Sequence, residues 1–116
     1  TMTDQELSDL LNILADDHAR QILQETMVQP MSADELSDVC GISPQSVYRR
    51  TDELSSYGLV ETQTEYDDDG HHFQTYTADQ TQIMIDISEE KTELTMSERE
   101  KMADRFSEFI SQVRDQ

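Results

Sequence analysis

The stretch SADELSDVCGISPQSVYRRTDELSSYGLV, residues 32–60, predicts two helices joined by a tight turn. Ser32 and Glu35 form a capping-box pattern, in which each side chain satisfies a free backbone amide at the start of a helix. Gly41 ends this helix, because glycine readily adopts the left-handed conformation of a helix C-cap. Ser43 can cap the next helix, and the proline that follows it suits the first helical position. A helix, a glycine turn and a second helix are therefore the centre of the predicted fold.

Helices are also predicted upstream. The leucines of the first helix recur at spacings of three and four residues, as on one helix face: Leu7, Leu10, Leu11 and Leu14. Asp16 or Asp17 can cap a second helix, and Pro30 stops it. Downstream the apolar period changes to two, and a turn at residues 67–70 separates two β-rich runs, which indicates a hairpin. Alternating isoleucines at residues 83–87 indicate a further extended segment.

The order of three helices, a glycine turn, a fourth helix and a hairpin predicts a winged helix-turn-helix fold, α+β and mainly α. We expect this DNA-binding architecture to span residues 1–88, with the recognition helix at about residues 43–57 and the wing at about residues 59–77. Residues 89–116 are predicted to form an additional C-terminal dimerisation helix that starts near residues 95–97.

That last helix has a heptad-like apolar stripe. Its members are Met102, Phe106, Phe109, Ile110 and Val113. The stripe could pack on its own domain or pair with a second copy of the chain. We favour a homodimer, because the stripe is terminal and too apolar to leave in water.

Charge is the dominant feature of the composition. Twenty-six acidic residues oppose eight basic ones, for a net charge of −18. Such a chain can bind cations or basic partners, mimic a nucleic acid, or work in molar salt, where the Debye length shrinks to about 3 Å. The acids are scattered, with no run longer than the three at residues 67–69. Scattering favours a protein of concentrated salt over one with a dedicated acidic tail.

The single cysteine, Cys40, excludes an intrachain disulfide and fits a reducing cytoplasm. It occupies an apolar position before the turn glycine, so we expect a buried core thiol rather than a redox sensor. No apolar run approaches the roughly 20 residues of a membrane span. No nucleophile–base constellation or glycine-rich phosphate loop indicates an enzyme, so we expect a cytoplasmic protein without catalytic activity.

The two longest acid-free stretches are residues 39–51 and 70–78. They coincide with the turn plus recognition helix and with the returning strand of the wing, where DNA phosphates would repel a carboxylate. Double-stranded DNA is therefore the predicted partner. The candidate contacts are Ser43, Gln45, Ser46, Tyr48, Arg49, Arg50, His71, His72 and Gln74.

Helical spacing assigns roles to these side chains. Val47 and Leu54 should face the core, with the candidate contacts directed outward to solvent or DNA. Gln45 can pair with adenine, and Arg49 or Arg50 with guanine, while serine hydroxyls suit phosphates. The alternative is that Arg49 and Arg50 merely pair with nearby acids such as Asp52 or Glu53.

His71 and His72 follow the acidic turn and could bind a metal ion. Adjacent histidines on a strand point to opposite faces, which argues against both binding one ion. A contact from the wing to a phosphate or to the minor groove is the favoured interpretation. We expect neither a metal site nor a cofactor.

Residues 14–23, LADDHARQIL, resemble the second-helix signature of ArsR-type regulators. With the acidity added, residues 7–77 resemble a haloarchaeal winged helix-turn-helix transcription regulator. The resemblance implies a dimer that reads a pseudo-palindromic operator, and it alone suggests a role in oxidative stress. Inorganic cations are further expected partners, because an acidic surface that faces DNA would need cations taken up into the interface. Metal-sensing members use cysteine clusters that this chain lacks. The alternative functions are a winged-helix protein-interaction module and a DNA-mimicking antirepressor. The DNA mimic would need acids on the recognition face.

Overall fold

The structure, a computed structural model, describes residues 2–98. The elements along the chain are α1 (Asp4–Leu14), α2 (Asp17–Val28), β1 (Met31–Ser32), α3 (Ala33–Cys40), α4 (Pro44–Ser56), β2 (Glu61–Tyr66), β3 (His72–Thr77), β4 (Thr81–Ile87) and β5 (Thr92–Glu98). The residues predicted to form the dimer lie outside the described part: Met102, Phe106, Phe109, Ile110 and Val113.

Helices α1 to α4 and the sheet of β1, β2 and β3 form a mainly α winged helix-turn-helix, as the sequence predicted. Helices α3 and α4 are the two helices of the motif. Strand β3 lies between β1 and β2 and runs antiparallel to both. Strands β2 and β3 form the wing, paired from Glu61 opposite Thr77 to Tyr66 opposite His72.

Local capping defines where α3 and α4 begin and end. The Ser32 hydroxyl accepts a hydrogen bond from the Glu35 amide, and the Glu35 carboxylate accepts one from the Ser32 amide, each at 3.2 Å. Gly41 ends α3 with a φ of 68°, a left-handed conformation that glycine adopts without steric cost. The Ser43 hydroxyl caps α4 by accepting from the Ser46 amide at 3.2 Å. The predicted capping box, glycine turn and serine cap are all confirmed.

One apolar core joins the four helices to the base of the wing. Its buried side chains include Leu10, Ile22, Leu36, Val47, Leu54, Leu59, Val60 and Tyr76. Full burial of an aliphatic side chain of this size contributes about 1.5–3 kcal/mol. Val47 and Leu54 face inward together with Thr51, as predicted, so α4 presents its opposite side to solvent.

The described residues divide into two compact units, residues 3–78 and residues 79–98. The sequence predicted this boundary after residue 88. In the second unit β4 and β5 pair as an antiparallel hairpin, so the extended segment predicted at residues 83–87 is confirmed. The Ser88 amide closes the turn between them by donating to the Lys91 carbonyl at 2.9 Å.

The predicted start of the C-terminal helix is wrong. Residues 95–97 lie inside β5. Strand pairing places Leu94 opposite Ile85 and Met96 opposite Ile83, so alternate residues of β5 extend an apolar row on one face of the hairpin. Helix signals depend on residues three or four positions apart, whereas β4, the partner of β5, is more distant in the sequence. Pairing with β4 outweighed the helix signals of residues 95–97.

Arg50 ties α4 to the corner between α1 and α2. Its Nε donates to a carboxylate oxygen of Asp16, and its Nη1 donates to the Ser46 carbonyl at 3.2 Å. The Arg50 side chain is only 12% exposed. The prediction that the Arg50 side chain faces solvent is therefore wrong, and the alternative that it pairs with an acid holds. Its partner is not an acid of its own helix but one 34 residues earlier in the chain.

Asp16 occupies the N-cap position of α2, but its side chain makes no cap hydrogen bond. Its carboxylate is directed to Arg50 instead. The hydrogen bond from Arg50 holds the pKa of Asp16 below its ordinary value, although partial burial acts in the opposite direction. The pair therefore holds the carboxylate in its charged form.

Replacing Arg50 by alanine should lower the free energy of unfolding by about 1–3 kcal/mol, because Asp16 loses its partner in a partly buried position. Urea unfolding at constant KCl measures the change. Because the folded pKa of Asp16 is depressed, the stabilisation is complete above the ordinary pKa of aspartate. It is lost as the pH falls through the folded value.

Arg49→Ala is the matched control, because it removes the same kind of side chain from the preceding position of α4, where the side chain is exposed. A surface substitution of this kind should change the free energy of unfolding by less than about 0.5 kcal/mol. Equal losses in the two variants would contradict the role assigned to the Arg50–Asp16 pair.

Candidate nucleic-acid interface

The first turn of α4 carries no acid, unlike the first turns of α1, α2 and α3. The acids in those other first turns are Asp4, Glu6, Asp17, Asp34 and Glu35. A carboxylate at a helix N-terminus is ordinarily stabilising by about 0.3–1 kcal/mol. The start of α4 instead presents Ser43 and backbone amides, which suit an external anion such as a phosphate.

The exposed side of α4 brings together most of the predicted contacts. Gln45, Tyr48 and Arg49 are exposed. Ser43 is also exposed and Ser46 is half-buried, and the Ser43 hydroxyl donates to the Ser46 hydroxyl at 3.1 Å. This surface therefore offers an amide, a phenol, a guanidinium and a hydroxyl pair, all of which can form hydrogen bonds with DNA.

Arg49 differs from the other cations of the described chain. Of the four Arg and Lys side chains in residues 2–98, Arg20, Arg50 and Lys91 each pair with a carboxylate, and Arg49 does not. The charge of Arg49 is thus available to a ligand. Arg50, its neighbour in the sequence, is not brought to this surface.

Strand β3 contributes two more of the predicted contacts. His72 and Gln74 are exposed on this strand. The His72 ring lies near the ring of Tyr66 on β2, with centroids 5.3 Å apart and planes inclined by 31°. The two residues therefore belong to an acid-free strand that lies inside the wing sheet.

A cleft of about 280 Å³ separates α4 from β3, and we call it the aromatic cleft. Its lining residues are Ser32, Ala33, Asp34, Tyr48, His72, Phe73, Gln74 and Tyr76. Phe73 is 43% exposed, whereas Tyr76 is buried. Sequence analysis missed both of these aromatic residues as site residues. The signal that could have found them is their position in the acid-free stretch of residues 70–78.

A second cleft, of about 360 Å³, lies between α1 and α4. Asn12, Ile13, Asp16, Arg49, Arg50 and Glu53 line it. Asp16, which pairs with Arg50, and Glu53 bring carboxylates to this cleft, so it suits a phosphate less well than the acid-free first turn of α4 does, although Arg49 also lines it.

The tip of the wing is acidic. His71 lies in the turn before β3, and its Nδ1 is 3.6 Å from an oxygen of Asp67. The other Asp67 oxygen accepts hydrogen bonds from the amides of Asp69 and His71 at 3.0 and 2.8 Å. Each of these three residues has a ligand atom within 4.8 Å of the others, and all three are exposed. Such groups are common on surfaces without an ion, so we assign no metal to them.

Cys40 is buried, with 8% of its surface exposed, as the sequence predicted. Burial raises the pKa of its thiol, and the Glu25 carboxylate raises it further, while Arg50 acts in the opposite direction. A protonated thiol is a poor nucleophile. These properties support a packing role for Cys40.

A family model described as a helix-turn-helix domain matches residues 14–63. The matched segment contains α2, α3 and α4 complete and ends in β2. No curated protein matches the chain. Within residues 2–98, no helix has the length and apolarity needed to cross a bilayer. Over residues 14–63 the chain is therefore similar to a helix-turn-helix domain, and these residues belong to a winged helix-turn-helix fold.

Proposed function

We propose that this protein is a sequence-specific transcription regulator that binds a pseudo-palindromic operator as a homodimer, in the cytoplasm and in concentrated salt. The observation that carries the proposal is the exposed, acid-free N-terminal half of α4, on which Arg49 has no carboxylate partner among residues 2–98. The match to a helix-turn-helix family supports DNA as the partner.

The distribution of charge supports duplex DNA rather than mimicry of it. Acids occupy 26 of 116 positions, yet none lies in the first turn of α4. In this motif the N-terminal residues of the second helix contact base edges beside the phosphates. A DNA mimic would need carboxylates on this face, and it has none within residues 43–51.

The side chains on this face match the chemistry of base edges. Gln45 can form two hydrogen bonds with adenine, and Arg49 can form two with guanine. Ser43 and the amides at the start of α4 suit a phosphate. Arg50 holds α4 in place for these contacts through Asp16 and is not itself a contact in this proposal.

Concentrated salt is part of the proposed mechanism. A chain of net charge −18 repels DNA at low salt. At about 1 M salt the Debye length is about 3 Å, so long-range repulsion is screened while direct hydrogen bonds persist. The acidic tip at Asp67 and Asp69 could approach phosphates only with cations between them, which would add cation uptake to binding.

The dimer is proposed from the C-terminal apolar stripe, which lies outside the described residues. Two copies would present two α4 helices to half-sites about one helical turn of DNA apart, roughly 34 Å. The resemblance to haloarchaeal regulators extends the proposal to a stress-responsive role.

Arg49→Ala should weaken operator binding by about 1–3 kcal/mol, because it removes a bidentate contact to a base. The measurement is a fluorescence anisotropy titration of a labelled operator in molar KCl. The operator is obtained by selecting random-sequence duplexes under the same conditions.

Arg20→Ala controls for charge, because it also removes one arginine but from α2, where Arg20 pairs with Asp17. Its affinity for the operator should equal that of the unchanged protein. Wild-type affinity in the Arg49 variant would refute the assigned contact.

Specific binding should persist in molar KCl, with a shallow or positive dependence on salt below that range. Ordinary regulators lose affinity with a slope of about −0.9 per neutralised phosphate. Here the chain offers few cations, and its own repulsion weakens as salt rises. A titration from roughly 0.3 to 2 M KCl tests this, restricted to conditions where circular dichroism shows folded protein. A steep loss, typical of six or more neutralised phosphates, would reject the salt mechanism.

Replacing Phe106 and Phe109 together by glutamate should produce monomers, because charges would interrupt the apolar stripe. Light scattering in molar KCl reports the mass. Glutamate at Ser107 and Ser111 adds the same charge beside the stripe and should leave the dimer intact. A phenylalanine double variant that stays fully dimeric would show that the dimer forms elsewhere.

A further inference from the structure

We propose that the aromatic cleft between α4 and β3 receives the 5-methyl group of a thymine in the DNA major groove. This inference rests on the proposed function, because it names a base that the recognition surface reads. It adds a specificity element that lies partly on the wing and uses no charged group.

The cleft concentrates aromatic surface that is otherwise scarce. Three of the five Phe and Tyr side chains in residues 2–98 line it: Tyr48, Phe73 and Tyr76. Tyr48 is 48% exposed and Phe73 is 43% exposed, whereas Tyr76 is buried. Two partly exposed aromatic residues on different elements, Tyr48 and Phe73, therefore line one concave surface.

The charges around the cleft favour a base edge over the DNA backbone as its occupant. No Arg or Lys is among the residues that line it, and Asp34, which is exposed, is one of them. A phosphate would meet a carboxylate without a compensating cation. A deoxyribose would bring its two flanking phosphates to the same carboxylate. A base edge therefore fits the cleft better than the backbone does.

The thymine methyl is the apolar group that base pairs present in the major groove. Tyr48 follows Gln45 by three residues, so the two side chains are neighbours on one side of α4. A base read by Gln45 would thus lie next to a base at the mouth of the cleft. Gln74 also lines the cleft, and its amide suits the adenine of the same pair.

Uracil substitution tests the proposal with the unaltered protein. Each thymine of the selected operator is replaced in turn by deoxyuridine, which lacks only the methyl group. Burial of one methyl-sized group corresponds to about a threefold to fivefold change in affinity. One thymine in each half-site should show this loss, and the other thymines should show little change.

Phe73→Ala identifies the cleft as the sensor of the methyl. In this variant, operators with thymine or deoxyuridine at the sensitive position should bind equally well, because the substitution removes the side chain that contacts the methyl group. The two changes together form a double-mutant cycle, which measures that one interaction. Tyr66→Ala is the matched control: it deletes an exposed ring from the same sheet but outside the cleft. It should keep the discrimination against uracil.

The outcomes separate the inference from the proposed function. Specific binding of the wild type with no sensitive thymine would overturn the inference and leave the regulator intact. A sensitive thymine whose effect survives in Phe73→Ala would overturn it as well. Absence of specific binding to any selected duplex would instead reject the proposed function itself.

Discussion

The packing of α4 on the core determines what this helix can present to a partner. Val47, Thr51 and Leu54, at spacings of four and three residues, are buried almost completely. The helix turns by about 100° per residue, so a shift of one position would exchange exposed and buried side chains. Arg50 adds a second constraint on the same rotation through its pair with Asp16. With these contacts in place, Gln45, Tyr48 and Arg49 are directed outward.

The charge of the chain places a second requirement on that outward face. A protein with 26 acids must keep them away from any surface that approaches phosphates. The first turn of α4 does so even though an acid there would stabilise the helix. Among the Arg and Lys side chains of residues 2–98, Arg49 is the one without a carboxylate partner, so affinity would depend largely on amide, hydroxyl and apolar contacts. Such contacts release few counterions, which is consistent with binding in concentrated salt.

The second unit shows where local signals mislead. A two-stranded hairpin is marginally stable alone in water, yet β4 and β5 pair over seven positions. The pairing of Ile85 with Leu94 and of Ile83 with Met96 gives β5 a strand conformation that its own sequence indicated poorly. Helix signals act over three or four residues, whereas the partner of β5 lies on another strand. The prediction of a helix start at residues 95–97 failed for this reason.

The sequence by itself determined the boundaries of α3 and α4 and the location of the acid-free face. Ser32, Gly41 and Ser43 act on backbone groups within four residues, so their effects are visible in the linear chain. Tertiary structure alone decided the opposite fates of Arg49 and Arg50, which are adjacent and chemically identical. It also created the aromatic cleft by bringing Tyr48 of α4 and Phe73 of β3 to one concave surface. In each case the deciding partner is remote in sequence, and only the packing of the core brings the two groups together.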